Sequence, residues 1–327
     1  MADYVRVALG TGVVLGLCQA KQLVAPTTAH LLVYSEDKCL ANCMFCPQAR
    51  ESLADGEMLS RVEWPRFSLD DVIEALQKST HAFKRVCLQS VNYPSVADDL
   101  IEIVSSIKKA CDLPLSVACH PISPKDIKRL TDAGAERMGI ALDAATPELF
   151  EKIKGKGAKS PYRWETHLKA LEEAKKLIGR ATTHLVVGLG ESEEEMIRTI
   201  QMLYDRGITV GLFAFTPVKG TPLEKWPRPK VSSYRKIQMA RHLIASGIVR
   251  ADDMKFQGGR LNDFGVDDTT LELAADSGIP FMTSGCPNCN RPFYNESPLG
   301  PIYNFPRKPT KEEIESIKKE LGLTGRR

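Results

Sequence analysis

The chain has 327 residues, of which 43% are hydrophobic and 26% charged, and this suits one large domain that buries a sizeable core. A formal net charge of +3, from 44 Lys+Arg against 41 Asp+Glu, makes no case for binding nucleic acid or an anionic membrane surface. Nine cysteines in a chain this long do not make a disulfide scaffold, so clustered ones read as metal ligands in a reducing, cytoplasmic compartment.

In chain order, Val13-Val14-Leu15-Gly16-Leu17 comes first, and it is too short to span a bilayer. No basic region precedes it, and Cys18-Gln19-Ala20-Lys21 is a poor cleavage site. Residues 1–29 are therefore expected to carry a short helix packed on the main domain. Eight apolar runs follow, at 31–34, 86–89, 115–118, 137–142, 184–188, 210–215, 254–257 and 280–283. Amphipathic stretches separate them. Ser68-Leu69-Asp70-Asp71 opens one helix with a capping pattern. Ser123-Pro124-Lys125-Asp126 opens another, with proline in the first turn and Gly134 to close it. Further helices are expected at 96–110, 163–178, 193–204, 231–245 and 269–275. The alternation predicts an α/β fold, a (β/α)8 TIM-type barrel over residues 30–297 with a loop at 284–297. An open doubly wound sheet is the alternative that alternation alone does not exclude. Residues 298–327 read as a C-terminal extension ending in an exterior helix at 311–321. A barrel carries its site at the C-terminal strand ends.

The first run leads into Cys39-Leu40-Ala41-Asn42-Cys43-Met44-Phe45-Cys46, three cysteines spaced C-x3-C-x2-C. Such a loop can hold three irons of a 4Fe–4S cube and leave the fourth open. Thiolates are soft ligands that select Fe–S or zinc over hard cations. A structural zinc would want a fourth ligand, and no close Cys or His completes the set. Buried structural thiols are the competing reading, but packing rarely places three cysteines within eight residues.

The spacing, with an aromatic residue before the last cysteine and a strand before the loop, resembles the radical SAM superfamily. The resemblance implies that S-adenosylmethionine chelates the open iron of the cluster on Cys39, Cys43 and Cys46. An electron from the cluster then cleaves it to a 5′-deoxyadenosyl radical. Phe45 would lie against the adenine. Gln89-Ser90, after the second run, stand where the family has a Gly-Gly-Glu-like segment binding the methionine amino group. Leu142-Asp143-Ala144 is similar to the Leu-Asp-Thr segment of biotin synthase, so Asp143 would accept ribose hydroxyls; a helix N-cap is its alternative role. Arg163 would hold the methionine carboxylate, or else be a solvated arginine at a helix start. Gly188-Leu189-Gly190-Glu191 resembles the family's adenine-side strand. Arg260, after Gly258-Gly259, resembles an arginine that points into the biotin synthase barrel, and so is a candidate catalytic residue beside a second cluster. Its alternative is a loop arginine paired with a carboxylate such as Asp263.

Cys286-Pro287-Asn288-Cys289 closes the last run. A Cys-x2-Cys pair there is a zinc half-site, a redox pair or part of a second, auxiliary 4Fe–4S cluster; the cluster is the expectation, with Cys18 as third ligand. Cys87 aligns with one of the three barrel cysteines of biotin synthase, but Ser116 and Thr182 stand at the other two, so that [2Fe–2S] site is not expected. Cys111 and Cys119 read as core or surface thiols. Taken with Cys46-Pro47-Gln48-Ala49-Arg50 and Ile302-Tyr303-Asn304-Phe305-Pro306, the pattern resembles the biotin and lipoyl synthase branch, and within it the second subunit of archaeal-type two-protein lipoyl synthases. The resemblance implies sulfur insertion into an octanoyl chain on a lipoyl carrier protein or peptide. It also implies a second radical SAM subunit and an electron donor such as ferredoxin as partners. The alternatives are a related enzyme (dehydrogenase, mutase or methylase) whose second cluster only transfers electrons, or a non-catalytic Fe–S subunit.

Overall fold

Thr28–Val33 is buried at all six positions, as a strand covered on both faces must be. In the computed structural model, which describes residues 3–323, this strand lies inside an eight-stranded sheet. The chain begins with β1 (Tyr4–Val7) and α1 (Leu9–Val14), then enters the buried strand β2 (Thr28–Val33). A small hairpin, β3 (Met58–Leu59) and β4 (Val62–Glu63), precedes β5 (Arg66–Ser68) and α2 (Leu69–Lys78). Strands and helices then alternate: β6 (Arg85–Gln89), α3 (Val96–Ala110), β7 (Leu115–Ala118), α4 (Pro124–Asp132), β8 (Arg137–Gly139). Two helices, α5 (Pro147–Ile153) and α6 (Trp164–Ile178), lead to β9 (Ala181–Val187), α7 (Glu193–Asp205), β10 (Thr209–Ala214) and α8 (Val231–Ala245). The sheet order is β10-β9-β8-β7-β6-β2-β1-β5. Strands β2 and β6 to β10 run parallel, while β1 pairs antiparallel with both β2 and β5.

The α/β architecture matches expectation, and so do most caps. Ser68 Oγ accepts from Asp71 N–H, Ser123 Oγ from Asp126 N–H, and Ser192 and Glu195 form a full capping box. The N-terminal segment does more than pack on the domain, because β1 extends the sheet. The ends of the two terminal segments, residues 1–2 and 324–327, lie outside the described residues.

The last two runs depart from the expected ring of eight. Residues 254–257 form β11 (Lys255–Gln257), which pairs only with β12 (Arg260–Asp263) in a separate antiparallel hairpin. Lys255 and Gln257 are exposed, and a strand with polar residues on one face cannot lie between two helical layers. At 280–283, Ile279–Phe281 is a 3-10 turn, and Met282 makes a lone bridge to Phe305. Pro280 has no N–H to give to a ladder. Two helices complete the chain, α9 (Asp268–Ser277) and α10 (Lys311–Leu321). No helix among the described residues is long and apolar enough to cross a membrane.

The C-terminal stretch is pinned from the core. Arg235, 3% exposed, pairs with Glu320 at 3.0 Å and donates to the carbonyls of Tyr303 and Ile302. Glu296 is also buried and accepts from Asn304 N–H at 3.2 Å. Burial is the chief cause that lifts its carboxyl to about 7. A raised folded-state value means the associated stability is full below the unfolded value and is lost as pH rises through about 7. Between pH 5 and 8 the wild type is expected to lose about 3 kcal/mol relative to Glu296→Gln, at ~1.4 kcal/mol per unit. Urea titrations of both proteins at the two pH values check this; parallel losses would clear Glu296 of the effect.

Candidate functional site

The cysteine loop leaves the end of β2 and is held by backbone contacts from several elements. Cys39 N–H donates to Gln48 O at 3.0 Å, Leu40 N–H to Asn92 O at 2.8 Å and Met44 N–H to Ile153 O at 3.0 Å. The Arg50 guanidinium donates to the carbonyls of Leu40 and Lys159. Leu53 N–H reaches Gly220 O at 2.8 Å. Gly220 has φ +85°, and a Cβ there would sit 2.5 Å from Ala54 N, so only glycine lets the two segments meet.

So fixed, Cys39, Cys43 and Cys46 line one cavity of about 190 Å³, together with Gln89, Ser90, Asn92, Asp143, Lys154 and Tyr162. Asn92 N–H donates to Cys39 Sγ at 3.2 Å. Cys43 and Cys46 are half-buried as residues, and loss of water raises both thiols, Cys46 to about 12. Thiols raised this far ionise only against a strong local positive charge, which bound iron supplies. Among the described residues no three His, Cys, Asp or Glu side chains converge as a single-ion site. The donor set suits a cube, in which each thiolate takes a different iron.

Asp143, four residues past the end of β8, has φ +64° and is fixed by an N–H bond to His184 O at 2.8 Å. Its carboxylate pairs with Lys154 Nζ at 2.6 Å, with side chains only 13% and 5% exposed. Thr146, not Asp143, caps the following helix. Lys154 escaped the sequence reading. It caps the C-terminus of α5, one residue past Ile153, and also donates to Ala141 O. Asp143→Ala would strand that ammonium, at a cost to stability of about 3–5 kcal/mol. Asp143→Asn keeps the shape, and is expected to weaken S-adenosylmethionine binding by about 1–3 kcal/mol, read by calorimetry on the reconstituted protein. Unchanged affinity would limit Asp143 to positioning Lys154.

Phe45 and Gln89 each line this cavity and the next one. Four other expected residues, Arg163, Gly188, Gly190 and Arg260, are elsewhere. Arg163 is turned onto its own turn, donating to Ser160 O and Tyr162 O, and it lines neither cavity; Tyr162 stands there instead. Gly188 and Gly190, at φ +105° and +119°, form a turn whose N–H groups at 188 and 189 are taken by the Glu191 carboxylate. Neither glycine lines either of the two cavities, whereas Val186, two residues before Gly188 on β9, lines the second. Arg260 is exposed in the β11–β12 hairpin, outside the sheet, because Gly259 packs the hairpin against Ser192 at the start of α7.

The second cavity, about 200 Å³, has apolar walls from Phe45, Val186, Phe213, Ala214, Phe215 and Val218. Cys46 of the loop lines it, and so do Cys87, Cys286 and Cys289. Cys286 Sγ is 4.0 Å from Ser116 Oγ, and Cys289 Sγ is 3.9 Å from His30 Nε2. Burial is the main cause that raises the thiols of Cys87 and Cys289 and lowers His30 to about 3. Arg291, which lies two residues beyond Cys289, takes the place expected for Arg260. Its guanidinium carbon stacks 3.8 Å from the Phe213 ring centre, and Nη2 donates to Ser284 O at 2.9 Å. Cys18 is not brought here; its Sγ donates to Leu9 O at 3.7 Å and lies against Gly12.

A sheet of parallel strands with a three-cysteine loop after its first parallel strand, opening on a cavity at the strand ends, defines an iron–sulfur enzyme of the radical SAM type. The model of the radical SAM superfamily matches residues 34–203, and the chain belongs to that superfamily. The family implies a 4Fe–4S cluster and S-adenosylmethionine. Among relatives, the biotin synthase of Clostridium botulinum is 25% identical over 251 residues, covering 76% of this chain and 74% of its own. Among solved structures, methylornithine synthase superposes with a TM-score of 0.54 at 17% identity, over 92% of this chain and 82% of its own. The FeFe-hydrogenase maturase of Carboxydothermus hydrogenoformans gives 0.54 at 22% identity over 68% of this chain, which spans 52% of that one.

Proposed function

We propose that the chain inserts sulfur into an octanoyl chain carried on a lipoyl carrier protein or peptide, as the second subunit of a two-protein lipoyl synthase. The observation that carries this is a single apolar cavity walled by both cysteine sets, Cys46 from the loop and Cys87, Cys286 and Cys289. An unactivated alkyl chain needs such walls, and a hydrogen lost on one side and sulfur gained on the other need two metal sites facing one space. The likeness to biotin synthase, spread over three quarters of both chains, supports the branch.

When bound, a 4Fe–4S cluster with S-adenosylmethionine supplies a deoxyadenosyl radical, and a second cluster supplies sulfide. Cys39, Cys43 and Cys46 would hold the first. Gln89, Ser90 and Asp143 would orient the S-adenosylmethionine, and Phe45 would separate its adenine from the acyl space. Phe213, Phe215 and Val218 hold the alkyl chain and exclude water, which protects a reactive radical. A second radical SAM subunit and a ferredoxin-like reductant would complete the system.

The test is anaerobic turnover of an octanoyl-lysine peptide by protein carrying isotopically labelled sulfide, with the partner subunit added. Labelled thiol product is expected, at about one sulfur per chain without repair of the donor cluster. Unlabelled thiol product would sink the donor role. Deoxyadenosine with no thiolated product would move the chain to an enzyme whose second cluster passes electrons.

A further inference from the structure

Resting on the reading that this chain holds a second cluster, we propose that its donors are Cys87, Cys286, Cys289 and His30.

The sheet register carries the argument. His30 on β2 pairs with Cys87 on β6, and Cys87 pairs with Ser116 on β7. Paired residues of neighbouring parallel strands face the same side at a spacing of ~4.8 Å, so the three make one row across the sheet. The late loop comes down on both ends of that row. Cys289 Sγ meets His30 Nε2 at 3.9 Å, and Cys286 Sγ meets Ser116 Oγ at 4.0 Å. Cys87 stands in the middle of the row, and all three cysteines and His30 line the same cavity. Three thiols and an imidazole thus surround one space, from two strands and one loop.

The choice among the remaining neighbours follows from their existing bonds. Ser116 Oγ already accepts from Arg85 Nη2 at 2.5 Å. Arg85, 3% exposed, also pairs with Glu136 at 2.7 Å and donates to Pro287 O at 3.3 Å, so it fastens the loop between the two late cysteines. Arg291 has no lone pair to give and is stacked on Phe213. His30 differs from both. It is 2% exposed, its Nδ1 has no hydrogen-bond partner, and its Nε2 has only the sulfur of Cys289. A neutral imidazole replaces thiolate as a ligand in some Fe–S centres. A donor of another kind beside three thiolates leaves one iron chemically distinct. Cys18 has no part in the set, since its sulfur is bonded to Leu9 O beside α1.

The experiment starts from the Cys39→Ala, Cys43→Ala, Cys46→Ala protein, which isolates the second site. After anaerobic reconstitution it is expected to bind about four irons per chain. Adding Cys87→Ser should remove at least half of that iron, while adding Cys18→Ala should remove none. Far-UV circular dichroism and thermal midpoints of each protein confirm that the variants fold. In the reduced second cluster, pulsed electron paramagnetic resonance should detect an imidazole nitrogen coupling that disappears in His30→Gln. Full iron in a folded Cys87→Ser protein, or iron lost with Cys18→Ala, overturns the thiolate set while leaving the second cluster standing. A nitrogen coupling that is absent, or that survives His30→Gln, overturns the imidazole ligand. No iron at all in the starting protein overturns the second cluster itself, and with it this ligand set.

Discussion

Replacing Cys39, Cys43 and Cys46 together by alanine is expected to reduce reductive cleavage of S-adenosylmethionine to the rate measured without protein. A fall of at least about a thousandfold corresponds to ~4 kcal/mol of lost transition-state stabilisation. The size follows from the arrangement. The three thiols are the only cysteines that line the first cavity apart from Cys119, which comes from the end of β7. The loop that carries them is tied to Gln48, Asn92, Ile153 and Gly220 by backbone bonds that alanine leaves intact. Loss of the thiolates therefore removes iron without releasing the loop. Deoxyadenosine is counted by chromatography with dithionite as reductant, and iron is counted on the same samples. Cleavage at the wild-type rate in protein lacking this iron would break the assignment of the radical site to the loop.

The second large effect is expected from Cys286→Ala, Cys289→Ala. Thiolated product should fall at least about a hundredfold while deoxyadenosine still forms. These cysteines line the apolar cavity but not the one that holds Cys39 and Cys43. The loop set keeps its three thiolates in this variant. Alanine at both positions leaves the anchors of the loop in place, because Thr283 Oγ1 still reaches Asn290 O at 2.6 Å and Arg291 still reaches Ser284 O at 2.9 Å. Mass spectrometry of an octanoyl-lysine peptide and chromatography of deoxyadenosine are run on one reaction. Equal loss of both products would assign the pair to the fold or to S-adenosylmethionine binding. Thiolated product at the wild-type level would remove the pair from sulfur transfer.

What could be read from the chain was whatever is local. The loop cysteines stand within eight residues, so their spacing alone makes them a ligand set. Helix starts were equally legible, since Ser68, Ser123 and Ser192 bond to N–H groups only three residues away. The errors came where a residue's direction depends on something distant. Arg260 follows two glycines as a site arginine might, yet polar Lys255 and Gln257 keep its hairpin out of the sheet. Arg163 sits at the expected helix start, but the nearby carbonyls of Ser160 and Tyr162 hold its guanidinium away from the cavity. Lys154 carried no sequence signal at all, because its meaning is the buried carboxylate eleven residues back that the turn after β8 aims at it.

By itself, then, the sequence determined the α/β alternation, the helix caps and the iron–sulfur loop, because each is written in contacts between residues close along the chain. The tertiary structure alone decided which distant groups share a cavity. Cys87 is 199 positions from Cys286, and in the sequence it matched a biotin synthase barrel cysteine whose companion positions hold Ser116 and Thr182, so nothing there tied it to the late pair. It joins the late pair only because the register of β2, β6 and β7 sets His30, Cys87 and Ser116 in a row, and because Arg85 fastens the loop at Pro287 above them. Strand register is set between strands and not within one, since a slip of one residue in any of the three would turn its member of the row to the other face of the sheet.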